Sequence, residues 1–253
     1  MRKRKIRRLR KPIYKKGIFW LLIFLPFIFG VFVWFLFFSN FFMIEKISIS
    51  GIKEKEKIEN LIIENSKNNF LKRKNIFLFN SKKIESQILN HFPEIKSVEI
   101  LKKFPDEILV KLKKRAPLFL FCNKTCCLID EEGVCFKESK NENFLKIELE
   151  GKEELTIGES IISKEEIEKI LKIKKELENL KISCEKVIIS QEKTDFLTKD
   201  GWKLIFSFEK DVEFQLKKLK IAWENLEKEK KEILEYLDLR FENFVVPKYK
   251  TTQ

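Results

Sequence analysis

The longest apolar run in the chain extends from Ile18 to Phe38 and holds no charged residue across its 21 positions. As a helix with a rise of about 1.5 Å per residue, this run is roughly 30 Å long, which matches the hydrocarbon thickness of a bilayer. A signal-peptide core is shorter, about 7–15 residues, and no small-residue cleavage site follows Phe38. The pattern therefore predicts an uncleaved transmembrane helix over residues 18–38.

Short segments with strand and helix periodicity follow between residues 43 and 114. Apolar residues alternate with polar ones in the strands and recur every three or four positions in the helices. The predicted order is β-α-α-β-β in about 70 residues. The predicted elements are a strand at 44–51, a helix at 53–66, a helix from Asn80 or Ser81 to His91, and strands at 95–102 and 107–113.

From residue 115 onward, strand patterns dominate. Asp200-Gly201 lies between apolar runs and predicts a hairpin. Ser163 followed by Glu166 predicts a capping box at the start of a helix that ends near Leu180. The predicted fold class is α+β, with one transmembrane helix, the β-α-α-β-β module at 43–114, and a mainly antiparallel β-domain with flanking helices at 115–250. Residues 251–253 are a short tail.

The charge distribution fixes the expected topology. Residues 1–17 carry ten of the 52 Lys and Arg residues and no acidic residue, which leaves 42 basic and 39 acidic residues for the rest of the chain. The net charge of +13 therefore comes mostly from this tail. Basic residues stay on the cytoplasmic side of a membrane and attract anionic lipid. We expect a single-pass type II protein with a cytoplasmic tail at 1–17, and no nucleic-acid partner.

Several motifs, taken in order, resemble the FtsQ/DivIB family of bacterial cell division proteins. Residues 43–114 resemble a POTRA domain, and Arg115-Ala-Pro117 is similar to the Glu-Arg-x-Pro that closes this domain in the family, with Lys114 in place of Glu. The string Leu128-Ile-Asp130 with Gly133-Val134, and the segment Asp238-Leu-Arg-Phe241, are similar to parts of the family's β-domain. The motifs of the POTRA-like region are Ser48-Ile-Ser-Gly51, Asn75 to Asn80, His91 to Val98 and Lys103 to Val110.

This resemblance implies a non-enzymatic divisome scaffold in the cell inner membrane, with its carboxy-terminal domains periplasmic and located at the division septum. It implies binding of an FtsB-like protein, paired with an FtsL-like one, through an edge strand, and a link to septal peptidoglycan synthesis. By the resemblance, Arg240 would meet an acidic residue of the partner and Phe241 would pack on it. The implied partner-binding residues are Arg240, Phe241, Asn243, Phe244, Val245, Val246 and Lys248.

Two other interpretations stay open at this stage. Phe241, Val245 and Val246 can instead be core residues or part of a shielded edge. A POTRA-bearing accessory of protein transport or outer-membrane assembly is the alternative function, although the chain is too short for a long β-barrel after such a domain. The single histidine, His91, and the scattered glycines indicate no catalytic set and no phosphate loop. We therefore expect no cofactor and no small-molecule substrate.

The five cysteines leave three alternatives. Cys122, Cys126, Cys127 and Cys135 fall in one predicted hairpin region, where a disulfide can form in an oxidising compartment, and Cys184 lies apart from them. Reduced, buried thiols are the second alternative. A zinc site is the third, but the sequence lacks a paired Cys-x2-Cys spacing and a nearby histidine.

Overall fold

The computed structural model describes residues 17–52, 55–66, 74–141, 143–151 and 155–250. Its first element is helix α1, Gly17–Phe38, which contains the predicted apolar run. The stretch Trp20–Phe38 is long and apolar enough to cross a bilayer, and none of it is buried inside the protein. This helix indicates a single-pass membrane anchor. Its internal Pro26 is tolerated because membrane helices accept proline more readily than soluble ones do.

The α/β region that follows has the predicted β-α-α-β-β order. A short 3₁₀ helix at Asn40–Phe42 precedes it. The sheet order is β1-β3-β2, and β1 runs parallel to β3. The elements are β1 Lys46–Ser50, α2 Glu56–Ser66, α3 Ser81–His91, β2 Ile95–Lys103 and β3 Glu107–Lys114.

Burial in this region follows the predicted periodicity. The inward positions of both helices are buried, and so are alternate residues of β3, as the spacing requires. Val98 of β2 is half-buried, and Leu89 at the end of α3 is partly exposed. The buried positions are Ile58, Ile62, Ile84, Ile88, Ile108, Val110 and Leu112.

A nine-stranded mixed sheet forms the second part of the protein, in the order β12-β11-β10-β9-β8-β7-β4-β5-β6. Its strands are β4 Phe119–Cys122, β5 Cys126–Ile129, β6 Cys135–Glu138, β7 Lys146–Leu149, β8 Cys184–Ile189, β9 Thr194–Thr198, β10 Lys203–Phe206, β11 Leu234–Asp238 and β12 Val246–Tyr249. Its helices are α4 Lys164–Asn179, α5 Val212–Asn225 and α6 Lys228–Glu232.

Two β-α-β crossovers explain most of the parallel pairing in this sheet. Helix α4 joins β7 to the parallel β8, and α5 joins β10 to the parallel β11. Strand β4 is also parallel to β7, whereas the remaining five pairings are antiparallel. The predicted capping box is confirmed, because Ser163 Oγ accepts the Glu166 backbone N–H and the Glu166 carboxylate accepts that of Ser163.

One continuous hydrophobic core lies beneath this sheet and includes Phe119, Phe196 and Phe206, with Ile170 of α4 and Leu219 of α5. Backbone proximity divides the described chain into two compact units. One unit holds the residues up to Ile88 together with Val98–Leu112. The other holds Leu89–Ser97 together with the residues from Lys113 onward.

Candidate partner-binding edge

Strand β12 is one edge of the nine-stranded sheet and pairs with β11 only. The backbone N–H of Lys250 donates to Ile233 O at 2.7 Å, so the backbone polar groups of Lys250 point towards β11. Because the direction of the backbone N–H and C=O groups alternates along a strand, those of Val246 and Lys248 also point towards β11. The backbone groups of Pro247 and Tyr249 therefore point away from the sheet. These outward groups are the ones that an added strand would contact.

The side chains of this edge divide into two sets. Val245 and Tyr249 are partly buried and pack against the core, whereas Pro247 and Lys248 are exposed. Lys248 Nζ lies 2.9 Å from a Glu235 carboxylate oxygen and 5.6 Å from the Tyr236 ring centroid. Proline is tolerated in an edge strand where its missing N–H would face solvent, and Pro247 occupies such a position.

An aspartate and an arginine organise the turn that leads into β12. Arg240 donates to Asp238 through its backbone N–H at 3.1 Å, through Nε at 3.0 Å and through Nη2 at 2.8 Å. The Asp238 side chain is buried and the Arg240 side chain is about one-third exposed. The hydrogen bonds that its side chain donates to Asp238 raise the pKa of Arg240 above its already high usual value. The guanidinium is therefore held within its own turn.

Two lysines bind the three successive carbonyls of the same turn. Lys218 Nζ, from α5, donates to Leu239 O at 2.8 Å and also to Phe241 O. Lys210 Nζ donates to Arg240 O at 2.9 Å. Burial, followed by the neighbouring charge of Lys210, lowers the pKa of Lys218. These contacts stabilise a segment that has no regular secondary structure between β11 and β12.

Phe241 and Phe244 form an exposed aromatic pair beside the edge. Their ring centroids are 5.1 Å apart and their planes differ by 16°. Phe241 is 42% exposed and Phe244 is 56% exposed, so neither is a core residue. Asn243, between them, is also exposed and lies in the bend before β12. Exposed aromatic side chains next to an open strand are typical of recognition surfaces.

The structure brings the predicted site residues into one region but gives them different surroundings. Phe241, Asn243, Phe244 and Lys248 are accessible, whereas Val245 packs inward and Val246 is half-buried. Sequence reasoning missed Asp238, Lys210 and Lys218 as the residues that hold the turn. Asp238 stands two positions before Arg240 in the quoted motif, so its role could have been found there. No sequence signal connects the two lysines to this turn.

The opposite edge strand, β6, is covered at its start. The Cys135 backbone N–H donates to Glu159 O at 3.0 Å, and the Gly158 N–H donates to Cys135 O at 2.6 Å. An isolated bridge joins Val134 to Ser160. Ahead of β6, the nearly buried Asp130 carboxylate accepts the backbone N–H groups of Glu132 and Val134 at 3.0 and 3.1 Å.

Arg115 completes this turn. Its Nη1 lies 2.6 Å from Asp130 Oδ2 and 2.9 Å from Glu132 Oε2. Its Nε donates to Pro93 O at 3.2 Å. The arginine of the Arg-x-Pro motif and the aspartate of the Asp-x-x-Gly motif thus form one ion pair. No local pattern in the sequence connects the two motifs.

The structure pairs the four clustered cysteines as Cys122–Cys126 and Cys127–Cys135. Cys122 and Cys126 are directly opposite each other in the β4–β5 register. Cys184 is free, donates to Leu197 O at 3.3 Å, and has its thiol pKa raised to about 12 by burial. Within the described part of the chain, no cluster of three or more His, Cys, Asp or Glu residues could hold a metal ion.

The membrane-proximal region matches a known domain family. Residues 42–115 match the family model of the FtsQ-type POTRA domain. The chain carries an FtsQ-type POTRA domain. Over these residues the match supports the predicted resemblance to the FtsQ/DivIB family and a division-related POTRA protein. FtsQ-type POTRA proteins are generally scaffolds and generally have division-protein partners. No curated protein matches the chain.

Proposed function

We propose that this protein is a non-enzymatic division scaffold that captures an FtsB-like protein, itself paired with an FtsL-like one, along β12. Through this pair it would link to septal peptidoglycan synthesis. The observation that carries the proposal is the open edge of β12 beside the exposed Phe241–Phe244 pair, in a chain with an FtsQ-type POTRA domain. Main-chain hydrogen bonds along such an edge supply affinity, and flanking side chains supply specificity.

The outward backbone of β12 limits how a partner strand can pair. Tyr249 offers an N–H donor and a carbonyl acceptor, whereas Pro247 offers a carbonyl only. The partner strand therefore has one donor fewer to bond than at an ordinary edge, so side chains must contribute more of the affinity. Phe244 is the most exposed large apolar residue of this region and is the main expected anchor.

Arg240 has a smaller expected role than the resemblance implied. A partner carboxylate would approach a guanidinium whose Nε and Nη2 already bind Asp238. It would therefore add to an existing ion pair rather than form a new one, and exposed pairs of this kind contribute little. We assign Arg240 chiefly to holding the turn in the shape that presents Phe241 and Phe244.

The cellular placement is part of the proposal. The basic tail at 1–17 would stay in the cytoplasm by the positive-inside rule, so the POTRA domain and the large sheet would lie outside it. The protein would then be concentrated at the septum. A fluorescent fusion with a uniform envelope signal would instead favour an accessory of transport or outer-membrane assembly.

Replacement of Phe244 tests the binding site directly. In the full chain, Phe244→Ala should weaken binding of the FtsB-like protein by about tenfold or more, because an interfacial aromatic anchor is worth on the order of 2 kcal/mol. Ile157→Ala is the control, since Ile157 is 37% exposed in the segment that contacts β6 at the opposite edge of the sheet. Affinity would be measured by calorimetry, with circular dichroism to establish that both variants fold. Unchanged affinity in folded Phe244→Ala and Val246→Asp variants would exclude this edge.

A further inference from the structure

Five phenylalanine rings form a continuous cluster next to the carboxyl end of α1, and we call them the aromatic collar. They come from four separate segments: α1, the 3₁₀ helix, the loop before α3, and the turn between β2 and β3. The centroid distances are 5.9 Å for Phe35–Phe42, 5.1 Å for Phe41–Phe42, 5.0 Å for Phe42–Phe77 and 5.2 Å for Phe77–Phe104. The collar thus runs without a break from the membrane anchor to the POTRA domain.

The outer rings of the collar are not core residues. Phe41 is 60% exposed, Phe104 is 56% exposed and Phe77 is 39% exposed. Exposure of three large aromatic side chains in one contiguous patch is unfavourable in water. Apolar surface that leaves water gains roughly 25 cal/mol of free energy per Å², and this patch does not. Scattered exposed apolar residues need no explanation, but a patch assembled from several segments does.

Asn75 fixes the collar to the end of the anchor. Its side-chain Nδ2 donates to Leu36 O at 2.9 Å and to Phe37 O at 3.3 Å, which are carbonyls of the last turn of α1. Its Oδ1 accepts the Phe77 backbone N–H at 2.9 Å, and the side chain is buried. The Ile76 N–H donates to Phe42 O at 3.0 Å. The loop that carries Phe77 is therefore hydrogen-bonded to the helix on one side and to the 3₁₀ helix on the other.

We propose that the aromatic collar inserts into the bilayer interface at which α1 ends, as a second membrane contact of the POTRA domain. Continuity with the anchor carries the inference. Phe35 lies in the apolar helix, and each further ring lies within 6 Å of the ring before it. Apolar and aromatic side chains are stabilised at the boundary between headgroups and acyl chains.

The charges around the collar indicate that apolar insertion drives this contact, without a need for anionic lipid. Lys103 lies in the same turn region as Phe104, but its Nζ is 3.0 Å from a Glu107 carboxylate oxygen. Asp106 is in the same turn and adds a further negative charge. This ion pair and Asp106 leave the turn of Phe104 with no excess positive charge to attract anionic headgroups. A neutral lipid surface is therefore the partner that its chemistry fits.

The proposal is tested in the full chain reconstituted in nanodiscs. Phe77 and Phe104 would be replaced, one at a time, by a fluorinated phenylalanine introduced by codon suppression, which avoids the native cysteines. The relaxation rate of the fluorine label would then be measured with two paramagnetic probes. One is a lipid with a nitroxide high on its acyl chain, and the other is a gadolinium chelate in the water. In phosphatidylcholine alone, the lipid nitroxide should relax both labels several-fold more strongly than the chelate does.

A label at Phe214, which is similarly exposed but outside the collar, is the control and should respond mainly to the chelate. Labels at Phe77 and Phe104 that respond like this control would overturn the proposal. Insertion that requires added phosphatidylglycerol would overturn the part that assigns it to apolar contact. Protection from the chelate that arises only after a division partner is added would assign the patch to a protein instead and contradict the membrane contact.

Discussion

The two edge strands of the nine-stranded sheet follow similar turns, but they differ in whether another segment covers them. Each is preceded by a turn in which an aspartate binds an arginine, Asp130 with Arg115 before β6 and Asp238 with Arg240 before β12. The first edge is then covered by the segment around Glu159, and the strands next to it carry both disulfides. In the described part of the chain, β12 has no such cover on its outward side.

The difference lies in how the backbone groups of each edge strand are satisfied. An open edge strand is a liability because its unpaired N–H and C=O groups can pair with any extended chain. At the start of β6 this liability is reduced, because Cys135 exchanges backbone hydrogen bonds with Gly158 and Glu159. At β12 the turn is held by Lys210 and Lys218, but the outward face of the strand is left accessible. In the proposed function, the open edge is where a partner strand would pair.

The largest effect should come from the glycine that lets the covering segment approach β6. Gly133 has φ +73°, and a Cβ there would lie 1.9 Å from Ile162 O. Gly133→Ala should lower the free energy of unfolding by about 4 kcal/mol or more, because backbone must move. Gly201→Ala is the control: φ is +82° but nothing lies within 4 Å. It should cost only about 1–2 kcal/mol of backbone strain.

Both variants would be measured by urea denaturation of the full chain in detergent. The comparison fails if Gly133→Ala and Gly201→Ala lose similar stability, because the closeness of Ile162 would then have no consequence. Hydrogen exchange would add a second test, since Gly133→Ala should release the Cys135 amide and leave the β12 amides protected.

Replacement of Asp130, next to the covered edge, should cost more stability than replacement of Asp238, next to the open edge. Asp130→Ala removes one of the two carboxylates bound to Arg115, whose side chain is only 13% exposed, and leaves two backbone N–H groups without their acceptor. We expect a loss of about 3 kcal/mol. Asp238→Ala removes the acceptor of Arg240, whose side chain is 32% exposed and can be hydrated. The free energy of unfolding should therefore fall by only about 1 kcal/mol. Thermal unfolding of the two variants, side by side, measures the difference. Equal losses would mean that the two turns are energetically equivalent.

Reduction of the disulfides should weaken only the closed edge. Each closes a loop of a few residues, so each is expected to contribute about 2 kcal/mol. With dithiothreitol, hydrogen exchange should accelerate in β4, β5 and β6 and stay unchanged in β11 and β12. A thiol assay on the unreduced, denatured protein should find one thiol, Cys184, and on the native protein almost none, because burial raises its pKa to about 12. Five thiols in the unreduced protein would contradict both pairings.

Features that depend on neighbouring residues could be predicted from the sequence. The apolar run predicted α1, the Ser163–Glu166 spacing predicted the capping box of α4, and alternation predicted the buried face of β3. Each of these is a local pattern in which side-chain type and spacing suffice. The β-α-α-β-β order followed from the same rules and from a resemblance to a known domain.

Features that depend on distant residues could not be predicted. Strand β7 was missed because Lys146–Leu149 is short and buries only Ile147, so its pattern is too weak to identify a strand. The spacing of the cysteines allowed several pairings, and the β4–β5 register places Cys122 opposite Cys126. The carbonyls of the turn before β12 are bound by lysines near α5, which no local pattern can show.

Pro247 has a consequence for the protein's behaviour towards its own copies. If two β12 strands met edge to edge about this residue, each would present a carbonyl where the other has no N–H to offer, and two hydrogen bonds of the ladder would be lost. A foreign strand loses only one. A single imino acid therefore makes the open edge a poorer match for a second copy of itself than for another strand, which disfavours edge-to-edge dimers of this protein.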